Sequence, residues 1–398
     1  MRRRSSFQFR GLLLSLTAIA CAPAVAVAQP EADTFRVIDR SLASRVLRVI
    51  EITPDELVLS EAPGEVTSIS VDDCLALVRT GVDRVAVRGV GRLVSSSGQV
   101  LPGVPATRLG QPRAYGEDVL VWQHDWLGAL EIPLDEIAAL TFRPVEPLPA
   151  PGQSDAVVLR NGDRLEGFIA SLDDPIALEI EMDGVRRTVE LPRERVASAA
   201  LVTARRAPDR QRVWFRDGTV LDVAELAVGD DGFVRIRAAL ASTGSAPKQV
   251  PLRDVRAILF APGAFIPLSS LTPTHVESSA PRYVVPTPEA LDDGPALGLP
   301  SIAYRGPILV RYLLPAGSRR FAADLDLPER ARAWGDCEVI VRVDDVEAFR
   351  AHLNSTVPTA SLNVPIDGSE LVIELTQGAN GPIQDRLRLT RAMLLVGE

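Results

Sequence analysis

Lysine is all but missing from this chain. Lys248 is the single lysine among 43 basic residues, a bias that reads as GC-rich bacterial coding rather than as function. Histidine is nearly as scarce, and His124, His275 and His352 fall in three separate segments. None stands four residues from a second ligand type, which excludes a helical zinc motif. The chain has no Gly-x-Ser-x-Gly elbow, no phosphate-binding glycine loop and no dinucleotide fingerprint. Acidic pairs do occur, at Asp173-Asp174, Asp230-Asp231, Asp292-Asp293 and Asp344-Asp345. Adjacent side chains on a strand leave by opposite faces and cannot act together on one glycosidic bond. These pairs read as solvated turns, one of which could ligate a structural calcium. The chain is therefore expected to be no enzyme and to carry no cofactor.

Long apolar runs are also lacking after residue 28, so nothing there spans a bilayer as a helix. Before it, Arg2, Arg3, Arg4 and Arg10 precede the apolar residues 12–20, and Ala26-Val27-Ala28 forms a small-x-small cleavage site. Residues 1–28 thus read as a signal peptide, which implies export to the periplasm, cell surface or medium with no transmembrane anchor after processing. The leader holds four arginines and no carboxylate, so its removal takes the net charge from −9 to −13. An acidic chain of this kind disfavours nucleic acid and anionic membrane as partners. Of three cysteines, Cys21 belongs to the leader. Cys74 and Cys337 occupy apolar positions and read as small core residues, with a disulfide between them as the alternative that an oxidising compartment allows.

What the chain has instead is a repeat. Ile132-Pro133-Leu134-Asp135-Glu136-Ile137, Leu191-Pro192-Arg193-Glu194-Arg195-Val196 and Val250-Pro251-Leu252-Arg253-Asp254-Val255 begin 59 residues apart, twice. A fainter copy, Ile69-Ser70-Val71-Asp72-Asp73-Cys74, precedes them by 63 residues. A fixed period of this size marks one supersecondary unit used several times. Ser97-Gly98, Asn161-Gly162 and Asp217-Gly218 lie in register between apolar runs, where a hairpin needs positive φ. The expected unit is a small five-stranded β-barrel of SH3-like or Sm-like size. The fold class expected overall is all-β: tandem barrel repeats followed by a C-terminal jelly-roll β-sandwich. Boundaries fall at residues 29–80 for a degenerate first repeat and 81–143 for the second. A proline-rich linker at 144–155 separates these from the third repeat, 156–203, and the fourth, 204–261. A proline-rich lead-in covers 262–300 and the sandwich 301–398. Short helical pieces are expected only near residues 71–79 and 346–352.

The C-terminal part carries an ordered set of local motifs: Leu271-Thr272-Pro273, Ile302-Ala303-Tyr304-Arg305-Gly306, Arg320-Phe321-Ala322-Ala323-Asp324, Gly335-Asp336-Cys337-Glu338-Val339, Val364-Pro365-Ile366-Asp367-Gly368, Gly378-Ala379-Asn380-Gly381 and Asp385. Over residues 265–398 this set resembles the carbohydrate-binding module appended to glycoside hydrolase family 98 enzymes. Arg386 follows Asp385 where that family has histidine. The resemblance implies a jelly-roll of the galactose-binding type and a glycan or cell-envelope polysaccharide as partner. Envelope proteins are the alternative partners, with the repeats as a structural or assembly device. The one candidate ligand-binding residue is Trp334, in Ala331-Arg332-Ala333-Trp334-Gly335. Turned outward its flat ring is a platform for a sugar; turned inward it plugs one end of the sandwich. The repeats would then hold the sandwich away from an attachment point. Trp122 and Trp126, four residues apart, read as core packing or a rim contact.

Overall fold

The computed structural model describes residues 34–62, 64–81, 91–106, 119–143, 148–149, 152–182, 184–240, 247–278, 284–291, 296–381 and 384–397. The leader at 1–28 and Asp292-Asp293 lie outside them. Among the described residues no helix is long and apolar enough to cross a membrane.

Four sets of five strands come first. Repeat 1 holds β1 (Thr34–Asp39), β2 (Ser44–Ile52), β3 (Glu56–Ala62), β4 (Glu65–Ser70) and β5 (Cys74–Arg79). Repeat 2 holds β6 (Gly91–Ser95), β7 (Val100–Pro105), β8 (Val119–His124), β9 (Gly128–Pro133) and β10 (Ile137–Thr141). Repeat 3 holds β11 (Asp155–Leu159), β12 (Arg164–Ser171), β13 (Ile176–Met182), β14 (Val185–Leu191) and β15 (Val196–Ala200). Repeat 4 holds β16 (Arg212–Phe215), β17 (Val220–Val228), β18 (Phe233–Ala238), β19 (Lys248–Pro251) and β20 (Val255–Leu259). In each, the first strand pairs antiparallel with the second and the fifth, and the second, third and fourth follow as a meander.

The turn chemistry explains this. Gly98, Gly162 and Gly218 join first to second strands at φ of +83°, +93° and +91°, a conformation costly for any residue with a Cβ. The proline signature becomes a single 3-10 turn: Pro133, Pro192 and Pro251 precede Leu134–Glu136, Arg193–Arg195 and Leu252–Asp254. Proline supplies the φ that enters the turn and gives up an N–H that needs no partner there. In repeat 1 Ser70 replaces it, accepting a hydrogen bond from the Asp72 N–H. The next residue, Cys74, Ile137, Val196 or Val255, is fully buried in every copy. Gly103 and Gly167 match because a neighbouring strand crosses them closely. A Cβ there would stand 2.4 Å from the Gln123 carbonyl and 2.2 Å from that of Glu179, respectively.

The repeats do not follow one another in space. β5 pairs with β20, placing Val78, Leu77 and Ala76 opposite Ala257, Ile258 and Leu259. β10 pairs with β15, placing Ala139 opposite Ala200. β17 meets β7 at Val220 and Val100. The spatial order is therefore 1-4-2-3. The expected separation of repeats 1 and 2 from 3 and 4 by the linker is overturned, because repeats 2 and 3 share a ladder across it.

The rest forms two sheets. One orders β23 (Glu289–Leu291), β24 (Ser301–Arg305), β31 (Arg386–Val396), β26 (Ser318–Asp326) and β29 (Thr359–Pro365), with β21 (Phe265–Pro267) also on β31. The other orders β22 (His275–Glu277), β25 (Ile308–Leu313), β30 (Glu370–Gln377), β27 (Cys337–Val343) and β28 (Val346–Leu353). Phe321, Leu325, Leu389 and Leu394 from the first meet Val310, Val339, Val341 and Ile373 from the second in one core. Residues 346–352, expected as a helical piece, are strand β28, and 71–79 are one 3-10 turn followed by β5.

The sandwich is not held away from the repeats. Ile38, Leu42 and Leu75 of repeat 1 and Trp214, Ala257 and Leu259 of repeat 4 form a buried cluster with Leu297, Leu299, Ala322 and Met393. Asn363 adds a hydrogen bond of 3.1 Å to the Ser41 carbonyl. The expected spacer is instead a docking platform.

Candidate functional site

Trp334 stands between β26 and β27. Pro328 opens the 3-10 turn Glu329–Ala331, and the N–H groups of Trp334 and Gly335 both donate to the Ala331 carbonyl, at 3.2 and 2.7 Å. The turn is tight enough that a Cβ on residue 335 would lie 2.8 Å from that carbonyl and 2.9 Å from the Gln384 carbonyl. Glycine is therefore required at 335. Trp334 is 60% exposed. It is not buried in the sandwich core.

Polar groups gather around this loop. Asp336 accepts a hydrogen bond from the Ala379 N–H at 2.7 Å and pairs with His352 on β28. Its carbonyl accepts from Gly378 N–H at 2.7 Å. Asn380 donates to the Trp334 carbonyl at 3.2 Å. The turn at 378–381 is thus tied to Trp334 and to Asp336, two residues on. The His352 hydrogen bond, aided by the Ala379 N–H, holds the Asp336 carboxyl below the usual carboxylate range, so it stays charged.

Beneath lies Asp385, 2% exposed. One oxygen accepts from the Asp336 N–H at 3.3 Å, and the other is buried with no hydrogen-bond partner. Burial raises this carboxyl to about 6. It is sealed from solvent and so shapes the loop rather than touching a ligand. Burial likewise pushes the adjacent Cys337 thiol up to about 12, which leaves it unreactive. Cys74 and Cys337 are both free and buried.

The other expectations resolve simply. Asp344 and Asp345 form the β27–β28 turn, at φ of +46° and +64°, and the Asp344 carboxylate caps the N–H groups of Ser369 and Glu370. Trp122 is core. Trp126 is partly buried and donates to Asp217 of repeat 4 at 3.0 Å. Among the described residues no three His, Cys, Asp or Glu side chains come together to hold a metal ion. Grooves of about 730 and 700 Å³ lie on repeats 4 and 3, at Gln211, Leu226 and Phe260 and at Asp155, Ile169 and Leu201. Trp334 lines neither. His352, absent from the sequence-based site, reaches it only because residues 346–353 pair with β27.

No family profile matches the chain, and no curated protein matches it in sequence. Solved structures do match. A CBM51 module from a Clostridium perfringens GH95 protein, in complex with methyl-galactose, is 14% identical at a TM-score of 0.28, covering 33% of this chain and 99% of that one. The CBM51-2 and INT domains of Clostridium perfringens ZmpB, in complex with GlcNAc, are 12% identical at a TM-score of 0.28, covering 44% of this chain and 38% of that one. Tandem CBM51 modules of a Streptococcus pneumoniae family 98 glycoside hydrolase are 10% identical at a TM-score of 0.27, covering 77% and 88%. These structural neighbours are carbohydrate-binding modules.

Proposed function

We propose that this is an exported, non-catalytic glycan-binding protein. The observation that carries the reading is Trp334: a large aromatic residue left exposed on a glycine-dependent turn, whose loop bonds Asn380 and, through Asp336, His352. An exposed aromatic face stacks on the apolar face of a pyranose, and fixed polar groups meet its hydroxyls. The sequence resemblance over residues 265–398 supports the same ligand class and a jelly-roll fold for the two sheets. In this reading the four repeats are SH3-like barrels that anchor the sandwich, and residues 1–28 direct export. A glycan array probed with the chain from residue 29 onward tests it. Binding to neutral or acidic glycans by the parent and none by Trp334→Ala is the expected outcome. Silence across a broad panel would transfer the function to protein contacts in the cell envelope.

A further inference from the structure

The turn that carries Trp334 rests on the segment that opens β31. The Gln384 carbonyl that a Cβ at 335 would crowd accepts the Arg386 N–H at 2.8 Å, and the Asp385 carbonyl accepts the Gly306 N–H at 2.8 Å. The end of β24 and the start of β31 therefore share one end of the sandwich with Trp334. In the ladder between these strands Arg305 stands directly opposite Arg386, and Ala303 opposite Arg388. Directly opposed residues lie on one face with Cβ atoms about 5 Å apart, and residues 386 and 388 share that face by the two-residue period of a strand. Arg305 and Arg386 are exposed, and Arg388 is half-buried.

Like charges set opposite each other on a sheet cost stability. The chain has 52 acidic residues against 43 basic ones, yet the acids near this row are engaged elsewhere. Asp326, opposite Arg388, pairs with Arg332 at 3.1 Å. Asp324 pairs with Arg391 and Asp336 with His352. Asp385 is sealed from solvent, and Glu329 is followed by Arg330. Glu289, opposite Ala303 on β23, is the one carboxylate left on the face. None of the three arginines forms an ion pair with a described residue. Three uncompensated cations thus face one carboxylate, at the end of the sandwich that exposes Trp334.

We propose that the glycan bound at Trp334 is anionic, and that Arg305 and Arg386 receive its carboxylate or sulfate group. The proposal rests on the glycan-binding reading and names its ligand class. A guanidinium offers a planar fork of donors that meets two oxygens of such a group, and it stays charged at every working pH. The opposed pair holds two forks side by side before any ligand arrives, and a bound anion removes their mutual repulsion.

An array of galactose, glucose and mannose oligosaccharides, each beside its uronate and its sulfated form, tests this with the chain from residue 29 onward. At low ionic strength a charged member should bind about five- to tenfold more tightly than its neutral counterpart, and the advantage should shrink as salt is added. Whether the uronate or the sulfated form gains more identifies the anionic group. Arg305→Gln/Arg386→Gln should bring charged and neutral members to the same affinity without lowering the unfolding transition. Arg186→Gln/Arg187→Gln removes the same charge from exposed positions on repeat 3 and should keep the preference. Neutral members bound as tightly as charged ones would overturn this inference and leave the glycan-binding reading standing. A preference that survives in the Arg305/Arg386 variant, or that is lost in the Arg186/Arg187 variant, would overturn it too. Silence across the whole array would remove both readings together.

Discussion

Where repeat 4 meets repeat 2, the side chains are Arg212, Asp222, Gln99, His124 and Thr219, all buried, with Ser97 half-buried beside them. Where repeats 4 and 1 meet the sandwich, they are Trp214, Leu259, Ile38, Leu75, Leu299 and Met393. In the first contact Arg212 donates to both oxygens of Asp222, at 2.6 and 2.9 Å, and to the Ser97 carbonyl at 2.7 Å. Gln99 accepts from the Asp222 N–H at 2.9 Å. Every partner has one geometry, so this contact fixes which repeat lies beside which. The second contact is non-directional and gains from the apolar area removed from water. One interface of the array is specified by hydrogen bonds, and the other is held by packing.

The comparison breaks most visibly at Asp222. Asp222→Ala leaves Arg212 charged and buried, which should cost about 3–5 kcal/mol in denaturant unfolding. A loss no larger than that of a surface substitution would mean the network is solvated. On the apolar side, Met393→Ala should cost about 2–5 kcal/mol by opening a cavity. Met393→Leu conserves volume and should cost less than about 1.5 kcal/mol. Equal losses for the two would show that shape, not area, holds the sandwich.

The pH dependence sharpens the contrast, because two buried groups act with opposite sign. His124 accepts from the N–H groups of Trp126 and Leu127 on Nδ1 and bonds Thr219 through Nε2 at 3.0 Å. Burial lowers its pKa, although Asp217 and Asp125 oppose the shift. The unfolded chain therefore binds the proton first, and stability falls as pH drops below about 6.5. For Asp385, burial raises the pKa from 3.8 to about 6. Its contribution is present below the unfolded value and is lost as pH rises through about 6. Unfolding measured against pH should show His124→Gln flattening the fall below 6.5. Asp385→Asn should raise stability at neutral pH by about 1–2 kcal/mol. If neither variant changes the profile, these sites do not couple to folding.

The smallest effect is expected at Cys74. Cys74→Val restores the residue type of the other repeats and should cost less than about 1.5 kcal/mol. Thiol titration of the unfolded chain from residue 29 onward, without reductant, should count both Cys74 and Cys337 as free.

The strand plan within each repeat was legible because its signals are local. Gly162, Gly218, Pro192 and Pro251 impose backbone geometry wherever they stand. A further copy of the signature, Ile266-Pro267-Leu268-Ser269-Ser270-Leu271, was equally readable and forms the same 3-10 turn. The order of the repeats was not legible. β5, β10, β15 and β20 carry similar apolar residues, and nothing local decides that β5 joins β20. Residues 346–353 place Val346, Phe349 and Leu353 at helical spacing, and pairing with β27 overrides that local preference. Trp334 was nameable from its loop, but its exposure depends on carbonyls at 331 and 384 that only the fold assembles.

Titration of the chain from residue 29 onward with its best array glycan, followed by calorimetry, tests the central claim most directly. A ring face and a few hydrogen bonds should give a dissociation constant in the high micromolar to millimolar range, about −4 to −6 kcal/mol. Trp334→Ala should abolish the binding and leave the unfolding transition where it was. Unchanged affinity in Trp334→Ala, or loss of binding only through loss of the fold, would contradict the account.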